Sequence, residues 1–484
     1  MKTALSPIPP PSFHPSAFRF LYSAFLFFLI ILLASHPAHS KITLPSLLGN
    51  NMVLQQQSLV KLWGGAKPSS QVSVITSWND KTYSTNSDSQ GKWTVNVSTH
   101  VAGGPYQITI SDGEKITLKN ILLGEVWVCS GQSNMGMALK GNSSPILNSN
   151  EIILTADNPS LRLFKVGTAT SLSPIPDSKG QWQESNSETA REFSAMAFQF
   201  GQILQKKLNV PIGLIQSEVG GTMIESWMSA TSLKAFPEVK IPLSLDTVKA
   251  PQKEPTTLFN GKIAPLLNYG IKGFIWMQGE SNRHEPALYA KLFPAMVADW
   301  RRQWNQGELP FYYVQIAPFG STDKTRSGVL IREAQQKAVD IIPNSGMASA
   351  LDVGMENDIH FFDKTKPAQR LAYLALAKTY GIKGISWSGP VYRSMKVEGN
   401  KAVLSFDHAG YLTSYRQPLR LFEIAGADRK FHPAKATISA GNITVQSELV
   451  SEPVAVRYAW REWVEAELFN NDNLPASSFR TDNW

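Results

Sequence analysis

The stretch Gly124-Glu125-Val126-Trp127-Val128-Cys129-Ser130-Gly131-Gln132-Ser133-Asn134-Met135 decides the fold. Glu125–Cys129 is a short, largely apolar run with no polar alternation, the pattern of a strand covered on both faces. A small turn containing Gly131 follows directly and sets Ser133 at the head of a helix. At such a position backbone N–H groups point outward and favour a negative charge. Ser133 is therefore a candidate nucleophile, and the strand–turn–helix order belongs to the α/β class.

The same texture continues C-terminally. Pro211–Glu218, Ile271–Met277, Phe311–Ile316 and Met347–Val353 read as buried strands. Between them Phe193, Met196, Ala197, Phe200 and Leu204 mark one helical face. Tyr289, Leu292, Phe293, Met296 and Trp300 mark a second, with Pro294 expected to bend it. Lys366–Tyr380 reads as a further helix. Strands alternating with helices predict a parallel, doubly wound sheet whose ligands sit beyond the C-terminal strand ends.

The flanks differ. From Lys41 to about Asn120, alternation at Val72-Val74-Thr76-Trp78, Trp93-Val95-Val97 and Tyr106-Ile108-Ile110 predicts antiparallel strands. Short strands between Gly and Asn turns return after Lys383. The expected division is a leader at 1–40, a sandwich-like β domain at 41–120, the α/β domain at 121–385 and a second β domain at 386–484. A length of 484 residues suits about three domains at roughly 150 residues each.

Composition narrows the function. Charged residues are only 17%, while there are 13 Trp. That balance fits either sugar-facing surfaces or Trp-filled cores. Net charge is +8, falling to +6 once Lys2 and Arg19 of the leader are removed. No dense Lys/Arg run accompanies it, which argues against nucleic acid. Cys129 is alone, so intrachain disulfides and Cys-based zinc sites are excluded. Phe20–Ala34 is apolar, follows Lys2 and Arg19, and precedes Ala38-His39-Ser40. It predicts a secretory signal cleaved near Ser40 and a secreted or periplasmic protein, with no other membrane contact. Asn96, Asn142 and Asn442 head glycosylation sequons.

Four loops carry chemistry. The first holds Ser133, with Gln132 beside it as a candidate substrate contact. The second, Glu218-Val219-Gly220-Gly221-Thr222, can bring backbone N–H close to a ligand, as an oxyanion donor requires. The third, Trp276-Met277-Gln278-Gly279-Glu280-Ser281-Asn282, offers Gln278 or Asn282 as an amide donor. Glu280 there is placed to orient a neighbour or bind a hydroxyl. The fourth, Asn357-Asp358-Ile359-His360, sets two side chains on one side of an extended backbone. Asp358 can then hold His360 while His360 takes a proton from Ser133, the logic of acyl transfer. Trp227 is a candidate to stack on a sugar ring, and Arg332 to pair with a sugar carboxylate. His284 and His360 show no metal-ligand spacing, and no metal or cofactor is expected.

These blocks, in this order, resemble the sialate O-acetylesterases of the SGNH (GDSL-like) hydrolase superfamily. The likeness extends through Asn51-Met52-Val53-Leu54-Gln55, Gly103-Gly104-Pro105-Tyr106 and Leu474-Pro475-Ala476-Ser477. The resemblance implies a three-layer α/β/α esterase domain with a parallel sheet, flanked by two antiparallel β domains. It implies Ser133 as nucleophile, His360 as base and Asp358 as orienter. The oxyanion donors would be the Ser133 and Gly221 amides and a side chain of the third block. Superfamily members often carry the Asp three positions before the His; here that residue is Asn357. Phe361 stands where Pro is common. The expected substrate is an O-acetylated sugar, with sialic acid first and acetylated xylan or another polysaccharide second. A non-catalytic carbohydrate-binding protein is the alternative of another class. Oligomeric state is not legible.

Overall fold

A computed structural model of the chain describes residues 1, 4–10, 41–141, 144–320 and 327–484. The apolar leader run and its cleavage site, and most of the sequon at Asn142, lie outside these residues. Ile42–Trp484 form one compact unit.

The strand that decides the fold is longer than its apolar centre suggests: β1 runs from Lys115 to Gly131. Its first residues alternate in exposure, while Ile121–Gly131 are all buried. The change marks its passage from an antiparallel pairing with Gly103–Ser111 into the centre of the main sheet. It thus crosses position 120, where the sequence texture changes.

The other strands of that sheet are β2 (Asn158–Lys165), β3 (Trp182–Ser185), β4 (Ile212–Glu218), β5 (Gly273–Met277), β6 (Phe311–Val314) and β7 (Ser345–Ala348). Their order is β7-β6-β5-β1-β4-β2-β3. All neighbours are parallel except β3, an antiparallel edge strand on β2. The periodicity reading missed β2 and β3. Pro159 and Arg162 break up the apolar signal of β2. Arg162 is nonetheless buried, because Pro159 O, Asn51 O and Asn120 Oδ1 accept its hydrogen bonds.

Alternating side chains feed two separate cores, as the strand repeat requires. Val126, Val128, Phe274, Trp276, Phe311 and Tyr313 point to one face. Trp127, Cys129, Ile275, Met277, Tyr312 and Val314 point to the other. After β1 comes a single helical turn, α1 (Ser133–Gly136). Helix α2 (Ala195–Leu208) fills the second face, while α3 (Pro286–Trp304), with Pro294 inside it, fills the first. Helix α4 (Ser327–Ile341) joins the first face and α5 (Thr365–Leu374) the second. The result is the expected α/β/α layering.

Antiparallel strands flank this core. N-terminally, Leu59–Gly65 pairs with Lys92–Ser98, and Gln71–Thr76 with Lys81–Asn86 and Gly103–Ser111. C-terminally, two four-stranded antiparallel sheets enclose a third core around Leu404, Phe422, Ile443 and Tyr458. Nine of the 13 Trp are buried, so indole serves packing rather than ligand at most positions.

Candidate active site

Register brings three of the four loops together. Glu218 of β4 and Met277 of β5 both sit opposite Gly131 of β1. All three strands therefore end at one level. The chain has built one side of the sheet by β4 and crosses to the other at β5, which makes this a topological switch point. Gly131 has φ +142°, and a Cβ there would stand 2.0 Å from Met277 O. No other residue permits the backbone to turn so close to β5. The Gln132 N–H donates to Met277 O at 2.9 Å and pins the turn.

Ser133 then faces the fourth loop. His360 Nε2 lies 2.9 Å from Ser133 Oγ. Its Nδ1 lies 3.7 Å from Asp358 Oδ1, ion-pair range rather than a hydrogen bond. The local backbone is a bend, not the extended segment expected. Asp358 Oδ1 instead accepts the His360 backbone N–H at 2.8 Å. Ser144, unforeseen from sequence, donates its hydroxyl to Asp358 Oδ2 at 2.8 Å.

The second loop packs directly on the nucleophile. A Cβ on Gly220 would stand 3.3 Å from Ser133 Cβ, tight enough that Ser133 would have to give by a few tenths of an ångström. The next amide, that of Gly221, is one peptide unit away. Helix α1 is one turn long and can build little macrodipole. What the turn presents is individual N–H groups.

The amides of the third loop are engaged within the protein. Both amide hydrogens of Gln278 are engaged: Nε2 donates to Thr222 O at 3.0 Å and to Asn282 Oδ1 at 2.7 Å. Asn282 Oδ1 also accepts the Ile224 N–H, and Nδ2 donates to Glu225 Oε2. Neither amide orientation is free, so these side chains tie the second and third loops together.

Glu280 is half-buried and its Oε1 accepts from Asn134 Nδ2 at 2.7 Å. Burial pushes its carboxyl up, with opposing pulls from Asn134, Lys364 and His360. Asn134 Nδ2 also donates to Ile359 O at 3.1 Å, and Asn134 Oδ1 accepts Lys364 Nζ at 2.5 Å. Lys364 is fully buried, which pulls its ammonium down to about 7. Sequence reading missed Lys364; a lysine at the head of a helix gives no sign that it is buried.

Two expectations are corrected. Trp227 has no exposed surface; its indole donates to Thr222 Oγ1 and its carbonyl accepts from Trp300, so no ring face is open to a sugar. Arg332 is 1% exposed and donates to Ser478 Oγ, Arg461 O and Glu462 O, which places it inside the molecule. Gln132 is buried too, and its Oε1 has no partner among the described residues. Burial also pushes the Cys129 thiol well up, so it is not a nucleophile. Among the described residues no group of three or more His, Cys, Asp or Glu is arranged to hold a metal ion. Nor is any helix among them long and apolar enough to cross a membrane.

A serine–histidine pair at the switch point of a three-layer α/β/α unit, with glycine N–H groups beside it, is the equipment of a carboxylic ester hydrolase. Residues 123–380 match the profile of the carbohydrate esterase family described as sialic acid-specific acetylesterase. The sialate O-acetylesterases of Pongo abelii and Homo sapiens are 32% and 31% identical over 90% of this chain and 90% of theirs. The crystal structure of XAC1771, a carbohydrate acetylesterase from Xanthomonas citri, superposes with a TM-score of 0.84 at 35% identity. It covers 92% of this chain and all of the other. The chain belongs to the sialate O-acetylesterase family.

Proposed function

We propose that Ser133, with His360 as base and Asp358 as its electrostatic orienter, removes acetyl groups from sugar hydroxyls, with O-acetylated sialic acid the first substrate. The carrying observation is the 2.9 Å contact between Ser133 Oγ and His360 Nε2 at the shared strand ends. Ser133 attacks the acetyl carbonyl as His360 takes its proton. The oxyanion forms against the N–H groups of Ser133 and the Gly220–Gly221 segment. His360 returns the proton to the leaving sugar oxygen, and water activated by His360 releases acetate.

One feature favours an anionic sugar. Lys253 is exposed, and its Cε lies 4.0 Å from where a Cβ of Gly221 would stand. It offers a carboxylate a partner that the buried Arg332 does not. Polysaccharide deacetylation is the second reading. The leader composition supports export, and the texture changes near 120 and 385 support the three-part division of the mature chain.

The test assays 9-O-acetyl sialic acid and acetylated xylan side by side, with Ser133→Ala as control. Preference for the sialate and loss of acetyl-enzyme formation in the variant are expected. Preference for xylan would select the second reading, and full activity of Ser133→Ala would end both.

A further inference from the structure

Asn134, the residue after the nucleophile, sits where three of the loops meet. Its amide donates to Glu280 Oε1 from the third loop and to Ile359 O from the fourth. Ile359 immediately precedes His360. An amide can make this pair of bonds in one orientation only; flipped, it would set its oxygen against two acceptors. What selects the orientation is Lys364 Nζ, which donates to Asn134 Oδ1 from the opposite side.

Lys364 is itself held where it can do this. Its Nζ lies 3.5 Å above the centre of the Phe361 ring, and both residues are fully buried. Phe361, directly after His360, supplies a floor for the ammonium group, an attraction favoured when water is excluded.

We propose that Lys364 is a positioning residue for deacetylation: through the Asn134 amide it holds the loop bearing His360 at the distance from Ser133 that proton transfer needs. The inference rests on the Ser133–His360 reading of the site. Lys364 touches no reacting atom. It acts because Asn134 belongs to the nucleophile's own turn while its amide grips the backbone beside the base. A displacement of about 1 Å between reacting groups costs about 10²-fold in rate. Loss of the grip should therefore appear in kcat, with KM little changed.

The experiment is a double-mutant cycle on the full chain: wild type, Lys364→Met, Asn134→Ala and the double variant, each assayed on p-nitrophenyl acetate. Lys364→Gln takes the place of Lys364→Met if that variant does not fold. Each single change should lower kcat by about 10²-fold. The double variant should be no slower than the worse single one, since both remove the same grip. A lysine serving stability alone would lower the unfolding temperature and leave kcat within about twofold, or would give additive losses; either result overturns the proposal. An inactive wild type would overturn the esterase reading instead, and is thereby distinguished.

Discussion

Asp358→Asn separates charge from geometry at the base. The substitution keeps one oxygen to accept the His360 backbone N–H and turns the other into an amide nitrogen, which the Ser144 hydroxyl can accept from by rotating, so the negative charge goes with little change of shape. That charge stands 3.7 Å from His360 Nδ1. At this separation its attraction for the imidazolium formed in the transition state is about 4 kcal/mol at an effective dielectric of ~20, and about 1 kcal/mol at that of water. The two side chains are 33% and 25% exposed, so screening places the real value between these limits. The expected loss in kcat lies between about 5-fold and about 10³-fold. An aspartate hydrogen-bonded directly to its histidine is worth more, about 10⁴-fold. The assay is saturating p-nitrophenyl acetate hydrolysis by both proteins, matched for folding by circular dichroism. A loss of 10⁴-fold or more would mean that Asp358 grips Nδ1 directly during turnover. A loss under twofold would remove it from the mechanism. Either outcome refutes the ion-pair argument.

Gly220→Ala puts a methyl group 3.3 Å from Ser133 Cβ, so Ser133 must yield by a few tenths of an ångström. The expected cost is about 10-fold in kcat, and an unchanged kcat would remove the second loop from the oxyanion site. Arg332→Met should lower stability by roughly 3 kcal/mol through its lost internal hydrogen bonds, read by urea unfolding. Its KM for an acetylated sialate should not change; a raised KM would restore it as a substrate contact. Burial pulls Lys262 to about 8 and Lys364 to about 7, while unfolded lysine keeps its proton to about 10.4. The unfolded chain therefore binds more protons between pH 7 and 9, and these two groups make stability rise with pH there. The urea midpoint should be less pH-dependent in Lys364→Met than in wild type; an equal or steeper dependence would count against the burial of this charge.

Much of the candidate site is legible before folding because its residues stand in loops directly after apolar strands. Ser133 follows Glu125–Cys129, Gly220 follows Pro211–Glu218, and Gln278 follows Ile271–Met277. A parallel sheet collects such loops at one end, so chain order alone makes them neighbours. Other features leave no such mark. The hydrogen-bond use of Gln278 and Asn282 depends on Thr222 and Ile224, some 60 positions earlier. Trp227 and Arg332 have the right chemistry for a sugar, but a side chain's direction is set by packing that no local pattern encodes. The strand β2 escaped notice because its buried arginine finds most of its partners far along the chain, in Asn51, Asn120 and Glu184.

By itself the sequence determined the α/β class, the flanking β segments and the family, and it proposed Ser133, Asp358 and His360 as the reacting set. Each of these rests on the kind and order of residues, which short-range periodicity and turn chemistry already express. The tertiary structure decided which donors remain free, how far Asp358 stands from its histidine, and that Lys364 lies under the site rather than on the surface. Those are matters of distance and burial between residues far apart in the chain. Fractions of an ångström and the exclusion of water set their energies, and neither exists until the sheet, its helices and the four loops have closed on one another.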